Sequence, residues 1–304
     1  MISASKRTDI PAFYLREMLR WCERGWVDVR NPYFGREGPT ETAEQRGKRS
    51  THVSLRPEDV IAIVWWSKNY AVYERLQEAF RGYSVQYFNF TINPRREDLA
   101  WLEPDVPPLE AALRQMDGLR RLPGGGEMIA WRYDPIVFWA EAGRLQSSWD
   151  VAFFERMCRD VAKLDVRRVI TSIADPYLKF KQRLSSLFPE RQLRQPGPDE
   201  LQSITATMHE IAASFGVDVV GCSEPELSPF GIPHGACIDG QLLRAKSGDK
   251  ASAKRATDVR TKGRETCGCA FHTDIGNYES HECGYSCLYC YANPNHRRFK
   301  EREG

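Results

Sequence analysis

The chain has 304 residues, 41% of them hydrophobic and 28% charged, a mixture that is typical of a globular protein and excludes a disordered or fibrous one. The formal net charge of +2 is too small to indicate nucleic acid as a partner by itself. The longest apolar run, residues 60–66, is far shorter than the ~20 residues that span a bilayer, and the N-terminus lacks a signal-peptide pattern. We therefore expect a cytoplasmic protein with no membrane partner.

Short apolar runs rich in β-branched and aromatic residues alternate with helical patterns through the first two thirds of the chain. Amphipathic helices are predicted over residues 11–24, 151–161 and 201–211. Strands that alternate with helices pair in parallel through right-handed crossovers. The predicted strands lie at about residues 1–4, 60–66, 85–92, 128–133, 168–173 and 217–222.

This order of elements predicts an α/β fold, a partial (β/α)6 TIM-like barrel that occupies residues 1–240. The pattern of strands and helices stops after Gly240, and residues 241–304 form a cysteine-rich segment, here called the tail. Such a tail must fold back on the body, and we expect it to pack on the barrel mouth.

Polar side chains follow the predicted strands at their carboxyl ends, where parallel folds bind ligands. The fourth strand ends in Arg132, Tyr133 and Asp134, and a charged pair directly after an apolar strand requires a reason. For any one of these polar residues, the alternative is that it only caps the next helix. The catalytic candidates are Arg132, Asp134 and Lys68, and the cofactor-binding candidates are Asn69, Glu224 and, in the tail, Tyr289.

The nine cysteines are the strongest chemical signal, because five of them fall within residues 267–290. In a reducing compartment, such clustering indicates metal binding or catalysis before disulfides. Cys283, Cys287 and Cys290 follow the spacing Cys-x3-Cys-x2-Cys. Three thiolates at this spacing can bind three irons of a 4Fe-4S cluster, with Gly284 easing the tight backbone. The fourth iron then stays open to a substrate.

This spacing, with Tyr289 directly before the last cysteine, resembles the signature of radical S-adenosylmethionine (radical SAM) enzymes. The run from Tyr289 through Tyr291 and Ala292 is similar to that of relatives of spore photoproduct lyase. More of the chain resembles the bacterial family DUF1848, in residues 2–5, 8–11 and 132–135 and in the cysteines of the tail. The second resemblance is nearly full length and carries no established substrate.

The resemblance to radical enzymes implies a 4Fe-4S cluster, S-adenosylmethionine bound at its open iron, and a flavodoxin or ferredoxin as reductant. It implies cleavage of S-adenosylmethionine to a 5′-deoxyadenosyl radical that acts on an unknown substrate, for which nucleic acid is one open class. In those enzymes the cysteines usually follow the first strand of a six-stranded partial barrel, whereas here they follow all the predicted strands. The arrangement is a permuted one, and only the three cysteines carry over from the family.

Four further cysteines could form a second site. Cys267 and Cys269 form a Cys-x-Cys pair, and Cys222 and Cys237 flank an acidic loop. Four thiolates can hold an auxiliary iron–sulfur cluster or a zinc ion. The sequence leaves both open, together with the alternative that these cysteines only pack in the body.

Two other functions stay open at this point. A zinc-binding nucleic-acid module or adaptor would use the cysteines and the basic run of residues 244–264 to bind phosphates. An iron–sulfur electron-transfer protein would need a fourth ligand on the first cluster and would not bind S-adenosylmethionine. Metal content and cleavage of S-adenosylmethionine distinguish these functions from a radical enzyme.

Overall fold

A curled parallel sheet forms the centre of the computed structural model, which describes residues 1–30, 50–248 and 266–292. The strands along the chain are β1 Ile2–Ala4, β2 Trp26–Arg30, β3 Ser50–Ser54, β4 Ile63–Ser67, β5 Gln86–Thr91, β6 Ile129–Ile136, β7 Phe138–Glu141, β8 Arg144–Ser147, β9 Arg168–Ile173, β10 Arg191–Arg194, β11 Asp218–Cys222, β12 His234–Gly235 and β13 Thr273–Asp274. Eight of them form an all-parallel half-barrel in the order β12-β11-β9-β6-β5-β4-β1-β13. The fold is therefore mixed α/β.

The six strands predicted from the sequence are confirmed. They correspond to β1, β4, β5, β6, β9 and β11, which lie side by side in chain order. Parallel strands covered on both faces read as nearly continuous apolar runs, and β4, with the sequence IVWWS, is buried at four of its five positions. The short strands β12 and β13 extend the sheet at its two edges.

Helices connect the strands of the sheet. They are α1 Leu15–Arg24, α2 Ala71–Leu76, α3 Leu109–Leu119, α4 Val151–Lys163, α5 Leu178–Leu187, α6 Pro198–Ser214 and α7 Gly240–Ser247. The three predicted helices are confirmed as α1, α4 and α6, with a π-helical turn before α1. Their limits have local causes: the Asp150 carboxylate accepts the N–H of Phe153 at the start of α4, and Gly25, with φ of 86°, ends α1.

The two faces of the half-barrel contribute to different cores. Trp65 of β4 belongs to the main core, in which helices such as α4 and α6 pack on the sheet, whereas its neighbour Val64 belongs to a second core. The second core also contains Cys237, Cys267 and Cys269. The tail therefore supplies part of the packing on that face of the sheet.

The tail departs from the prediction that regular structure stops after Gly240, and that prediction is wrong. The helix α7 begins at this glycine, because the Asp239 carboxylate accepts the N–H groups of Gln241 and Leu242, each at 3.0 Å. Farther on, β13 pairs with β1, with Thr273 opposite Ile2. The division into residues 1–240 and 241–304 stays a prediction.

Two small antiparallel sheets, β2-β3 and β10-β7-β8, complete the described strands, and the sequence predicts neither. Within residues 1–30, 50–248 and 266–292, no helix is long and apolar enough to cross a membrane.

Candidate functional site

A cavity of about 310 Å3 lies at the carboxyl ends of the central strands. Its wall combines residues that end or follow β1, β4, β6, β9 and β11 with residues 283–292 of the tail. This position agrees with the expectation that ligands bind beyond the carboxyl ends of parallel strands. Most of the candidate residues line this cavity, namely Arg132, Asp134, Lys68, Glu224 and Tyr289.

Cys283, Cys287 and Cys290, here called the three-cysteine loop, all line the cavity. The backbone carbonyls around the loop are held by Arg183 of α5, whose guanidinium donates to the carbonyl oxygens of Leu288, Cys290 and Ala292. The N–H of Leu288 also donates to the carbonyl oxygen of Leu102 at 2.9 Å. The loop is therefore fixed to the body from both sides.

The tight backbone of the loop depends on a residue other than the predicted one. Ser286 is fully buried and has a positive φ of 54°, so the left-handed conformation falls there and not at Gly284. Gly284 serves close packing instead, because a Cβ on it would lie 3.0 Å from two ring carbons of Phe13. The sequence therefore predicted correctly that a glycine is needed at position 284. The reason is its packing against Phe13 and not the backbone conformation of the loop.

The surroundings of the three thiols keep them protonated when no metal is bound. Burial raises the pKa of Cys283 to about 12 and raises the pKa of Cys287 and Cys290 as well. The Lys68 ammonium opposes the shift at each thiol. Because metals bind thiolates, occupation of the loop by a metal centre would release protons.

Lys68 is held by a buried ion pair that the sequence did not indicate. Its Nζ lies 2.8 Å from a carboxylate oxygen of Glu103, and the two side chains are 12% and 8% exposed. Glu103 also accepts from the amide of Asn93 at 2.6 Å and from the hydroxyl of Tyr289. Burial opposes both charges, but the pairing outweighs it, so the pKa of Lys68 is raised and that of Glu103 lowered. Glu103 thereby anchors Tyr289, which directly precedes the last cysteine of the three-cysteine loop.

The charged pair at the end of β6 faces the cavity. The Arg132 guanidinium donates to Asp134, which also accepts from the hydroxyl of Ser172. The guanidinium lies 4.7 Å from the ring centroid of Trp66, and its Nε has no hydrogen-bond partner among the described residues. The Arg132 side chain is therefore held in place by Asp134 and Trp66, and its Nε is a buried donor that the described residues leave unsatisfied.

Asn69 and Glu224 have different surroundings. The side-chain oxygen of Asn69 accepts from the N–H of Ala71 at 3.0 Å and from the amide of Gln115 at 2.8 Å. The contact with Ala71 precedes the first turn of α2, whose N-cap residue is Tyr70 and which has no side-chain cap. The carboxyl group of Glu224 lines the cavity and accepts the N–H of Ile173, while burial and Glu226 raise its pKa to about 9.

Asp9 is a further buried carboxyl group in the cavity wall, outside the candidates chosen from the sequence. One of its oxygens accepts from the N–H of Ala12, and the other accepts from the hydroxyl of Ser67 and the N–H of Lys68, all at 2.8 to 2.9 Å. Burial nevertheless dominates and raises the pKa of Asp9 to about 7. The group joins the turn after β1 to the turn after β4.

We expect Asp9→Asn to reduce the pH dependence of stability. The folded protein retains the proton up to about pH 7, whereas an unfolded chain loses it near pH ~3.9. The stabilising contribution is thus complete below the unfolded pKa and is lost as the pH rises through the folded pKa. The loss in free energy of unfolding from about pH 5 to about pH 8, measured by urea denaturation, should be smaller in the variant. An equal loss in both proteins would contradict this assignment.

The four remaining cysteines of the predicted second site also come together. The sulfur atoms of Cys222 and Cys237 lie 2.6 Å apart, and hydrogen bonds connect Cys237 to Cys269 and Cys269 to Cys267. No set of three or more His, Cys, Asp or Glu side chains within residues 1–30, 50–248 and 266–292 is placed to hold a single metal ion.

With this geometry described, comparison with known proteins gives the family. The family model described as "Domain of unknown function (DUF1848)" matches residues 1–292. The chain belongs to this family. The resemblance to DUF1848 is therefore confirmed, and no curated protein matches the chain significantly.

Two residues that shape the site of this DUF1848 chain were missed in the sequence analysis. Glu103 lies in an irregular segment after β5, and Arg183 lies in a helix that the sequence did not predict. Neither lies directly after a strand or beside a cysteine, so only the folded arrangement brings them to Lys68 and to the three-cysteine loop. One sequence feature could have drawn attention to Glu103. It directly follows two large apolar residues, Trp101 and Leu102, and a charged residue in an apolar run needs a partner if it is buried.

Proposed function

We propose that this protein is a radical S-adenosylmethionine enzyme whose 4Fe-4S cluster is held by Cys283, Cys287 and Cys290. The observation that carries the proposal is that three thiols at the Cys-x3-Cys-x2-Cys spacing face one cavity at the carboxyl ends of a parallel half-barrel. When bound, the cluster would supply the electron that cleaves S-adenosylmethionine to methionine and a 5′-deoxyadenosyl radical acting on an unknown substrate.

The donor set fits such a cluster. Each iron of a cubane takes its own thiolate, so the three thiols need not converge on one point, as ligands of a single ion must. The cavity also offers buried polar atoms that have no partner among the described residues, including Thr8 Oγ1, Trp66 Nε1 and Arg132 Nε. Polar groups of S-adenosylmethionine or of the substrate would satisfy these atoms.

The order of the strands and the attachment of the tail support the same proposal. The proposal is a permuted (β/α)6 TIM-like barrel with the tail, residues 241–304, at its mouth. Six parallel strands in chain order support it, as do the tail residues between Cys283 and Ala292 that line the cavity. The side chain of Asp274 in β13 accepts from the hydroxyls of Ser3 and Ser5 and from the N–H of Lys6. These bonds anchor the tail to β1, nine residues before the three-cysteine loop begins.

The cavity side chains would bind and orient the ligands. The Arg132 guanidinium, fixed by Asp134 and Trp66, would bind a carboxylate, and Lys68 would balance the negative charge of the thiolates. Glu224, which retains its proton at neutral pH, would donate a hydrogen bond. Tyr289, anchored by Glu103, would close the wall and exclude water from the reacting groups.

The partners in this proposal are S-adenosylmethionine, the unknown substrate and a reductant in the cytoplasm. The helix α5, which holds the three-cysteine loop through Arg183, exposes Leu178, Lys179 and Lys181. An apolar and basic surface suits an acidic electron carrier such as a flavodoxin or ferredoxin. A nucleic acid substrate or a zinc-binding role would draw on the basic run of residues 244–264, of which 249–264 lie outside the described residues.

The test is a single preparation made without oxygen. Iron, sulfide and zinc are measured first, and then dithionite and S-adenosylmethionine are added and 5′-deoxyadenosine is detected. We expect a multiple of about four irons per chain and formation of 5′-deoxyadenosine that requires both reagents. Zinc without iron and no cleavage would favour the binding module, and iron without cleavage would favour the electron-transfer protein.

A further inference from the structure

Two thiols from neighbouring strands are in contact in the cavity wall. Cys222 ends β11, and Cys237 comes two residues after the end of β12. Their sulfur atoms lie 2.6 Å apart, not much farther than the ~2.05 Å that separates bonded sulfur atoms in a disulfide. Both residues line the cavity. A small movement of the two side chains would therefore be enough to bond them.

The central sheet holds these two thiols together. In the parallel pairing of β11 with β12, Cys222 lies opposite Gly235. A Cβ on Gly235 would lie 2.4 Å from side-chain carbons of Val220, so only glycine lets β12 approach β11 this closely. The carbonyl oxygen of Cys237 also accepts from the buried amide of Asn89 at 3.1 Å. The contact between the thiols therefore follows from how the two strands pair.

The two thiols differ in their access to the cavity. Cys222 is partly exposed, whereas Cys237 is 1% exposed. The guanidinium of Arg132 interacts electrostatically with both. A partly exposed thiol beside a cation is the usual setting of a reactive cysteine, and a buried thiol in contact with it can complete a reaction that the exposed one begins. Cys222 is thus placed to attack, and Cys237 is placed to resolve.

The two cysteines of the tail cover the buried member of the pair. Hydrogen bonds connect Cys237 to Cys269 and Cys269 to Cys267, and these tail cysteines are 1% and 6% exposed. A Cβ on Gly268, between them, would lie 2.8 Å from the ring of His234. The Cys-Gly-Cys sequence therefore packs tightly on β12, and Cys222 remains the more exposed member of the pair.

We propose that Cys222 and Cys237 are a redox-active dithiol that reduces small-molecule disulfides in the cavity and closes to an intramolecular disulfide. The cavity of about 310 Å3 has the size of a small-molecule site, at the lower end of the ~300–1,000 Å3 range. In an otherwise reducing compartment, a disulfide of this kind is transient and serves catalysis or redox sensing. The inference does not depend on the cleavage of S-adenosylmethionine.

The reaction is a double thiol–disulfide exchange. The Cys222 thiolate attacks one sulfur of a disulfide R–S–S–R, which forms a mixed disulfide and releases one R–S⁻. The sulfur of Cys237 then attacks the sulfur of Cys222, which closes the protein disulfide and releases the second R–S⁻. Two electrons pass from the dithiol to R–S–S–R, and the two thiol protons end on the two molecules of R–SH.

The test uses bis(2-hydroxyethyl) disulfide as the probe on the reduced full-length chain, handled without oxygen. After the reaction, the remaining thiols are alkylated, and the chain is cleaved after glutamate. Glu226, followed by Leu227, lies between the two cysteines, so their peptides stay joined only by a disulfide. Mass spectrometry should find Cys222 bonded to Cys237, with release of about two molecules of 2-mercaptoethanol for each disulfide formed.

Three variants assign the two roles. Cys237→Ser should stop the reaction at a mixed disulfide, with the hydroxyethyl group retained on Cys222. Cys222→Ser should leave Cys237 free to be alkylated, because the buried thiol cannot begin the exchange. Cys22→Ser is the matched control: it changes a thiol of α1 outside the cavity wall, and the disulfide should form as in the unchanged protein.

Three results would overturn the inference. These are recovery of both cysteines in alkylated form after treatment with excess probe, a lasting mixed disulfide on Cys222 of the unchanged protein, and a disulfide that joins Cys237 to Cys269 instead. If the serine variants do not fold, the disulfide map of the unchanged protein alone decides. Formation of 5′-deoxyadenosine has no part in this test, so the dithiol and the radical enzyme can each fail without the other.

Discussion

Cys287→Ala is expected to abolish the formation of 5′-deoxyadenosine and to remove about four irons per chain, while the body of the protein stays folded. Cys287 is the central thiol of the three-cysteine loop and is 6% exposed in the cavity wall. Two thiols would be left to hold a cluster that needs three protein ligands. Because Arg183 and the Leu102 carbonyl hold the loop by its backbone, loss of this side chain should leave the loop attached.

The matched control for this prediction is Cys22→Ala. Cys22 is another thiol, but it lies in α1 and not in the cavity wall, so iron content and cleavage should both persist. Circular dichroism and the midpoint of thermal unfolding show whether each variant is folded. Cleavage that survives Cys287→Ala in folded protein would show that the three-cysteine loop does not hold the catalytic cluster.

Lys68→Met is expected to lower the free energy of unfolding by about 3–5 kcal/mol, the usual cost of removing one partner of a buried ion pair. The Glu103 carboxylate would stay buried with only the amide of Asn93 and the hydroxyl of Tyr289 as donors. Its charge would then be uncompensated. Urea denaturation without oxygen measures the change.

Two further variants show whether the charge, and not the loss of packing, causes this effect. Glu103→Gln added to Lys68→Met removes the stranded charge and should recover part of the lost stability. Arg159→Met breaks an ion pair with Glu155 whose side chains are about half exposed, and it should cost no more than ~1 kcal/mol. If Lys68→Met costs as little as Arg159→Met, the pair with Glu103 is not an important contribution.

The central sheet could be predicted because its strands are buried on both faces and read as apolar runs. The small sheets could not, since β8 is largely exposed and β10 alternates without an apolar run. The edge strand β13 has two residues, Thr273 and Asp274, and exists only because β1 presents a free edge and polar partners. Its sequence carries no strand signal.

The candidate site was predictable to a similar extent. Positions such as Asp134 and Glu224 follow from the rule that ligands bind at strand ends, and local spacing identified the cysteines. Asn69 satisfies the same rule but does not line the cavity, because its side-chain oxygen accepts from the N–H of Ala71 and from the amide of Gln115. Arg183 depends on contacts between distant segments, which no local pattern contains.

The pairing of β13 with β1 affects the order in which the chain folds and could receive iron. The bond from Ser3 to Asp274 spans 271 positions of the chain, so it belongs to the most non-local class of contact, which forms late. During synthesis the six central strands emerge before the tail and can assemble first. Both groups of cysteines are completed only by the tail, so under the proposed function iron would be delivered to a finished scaffold, after the tail has docked.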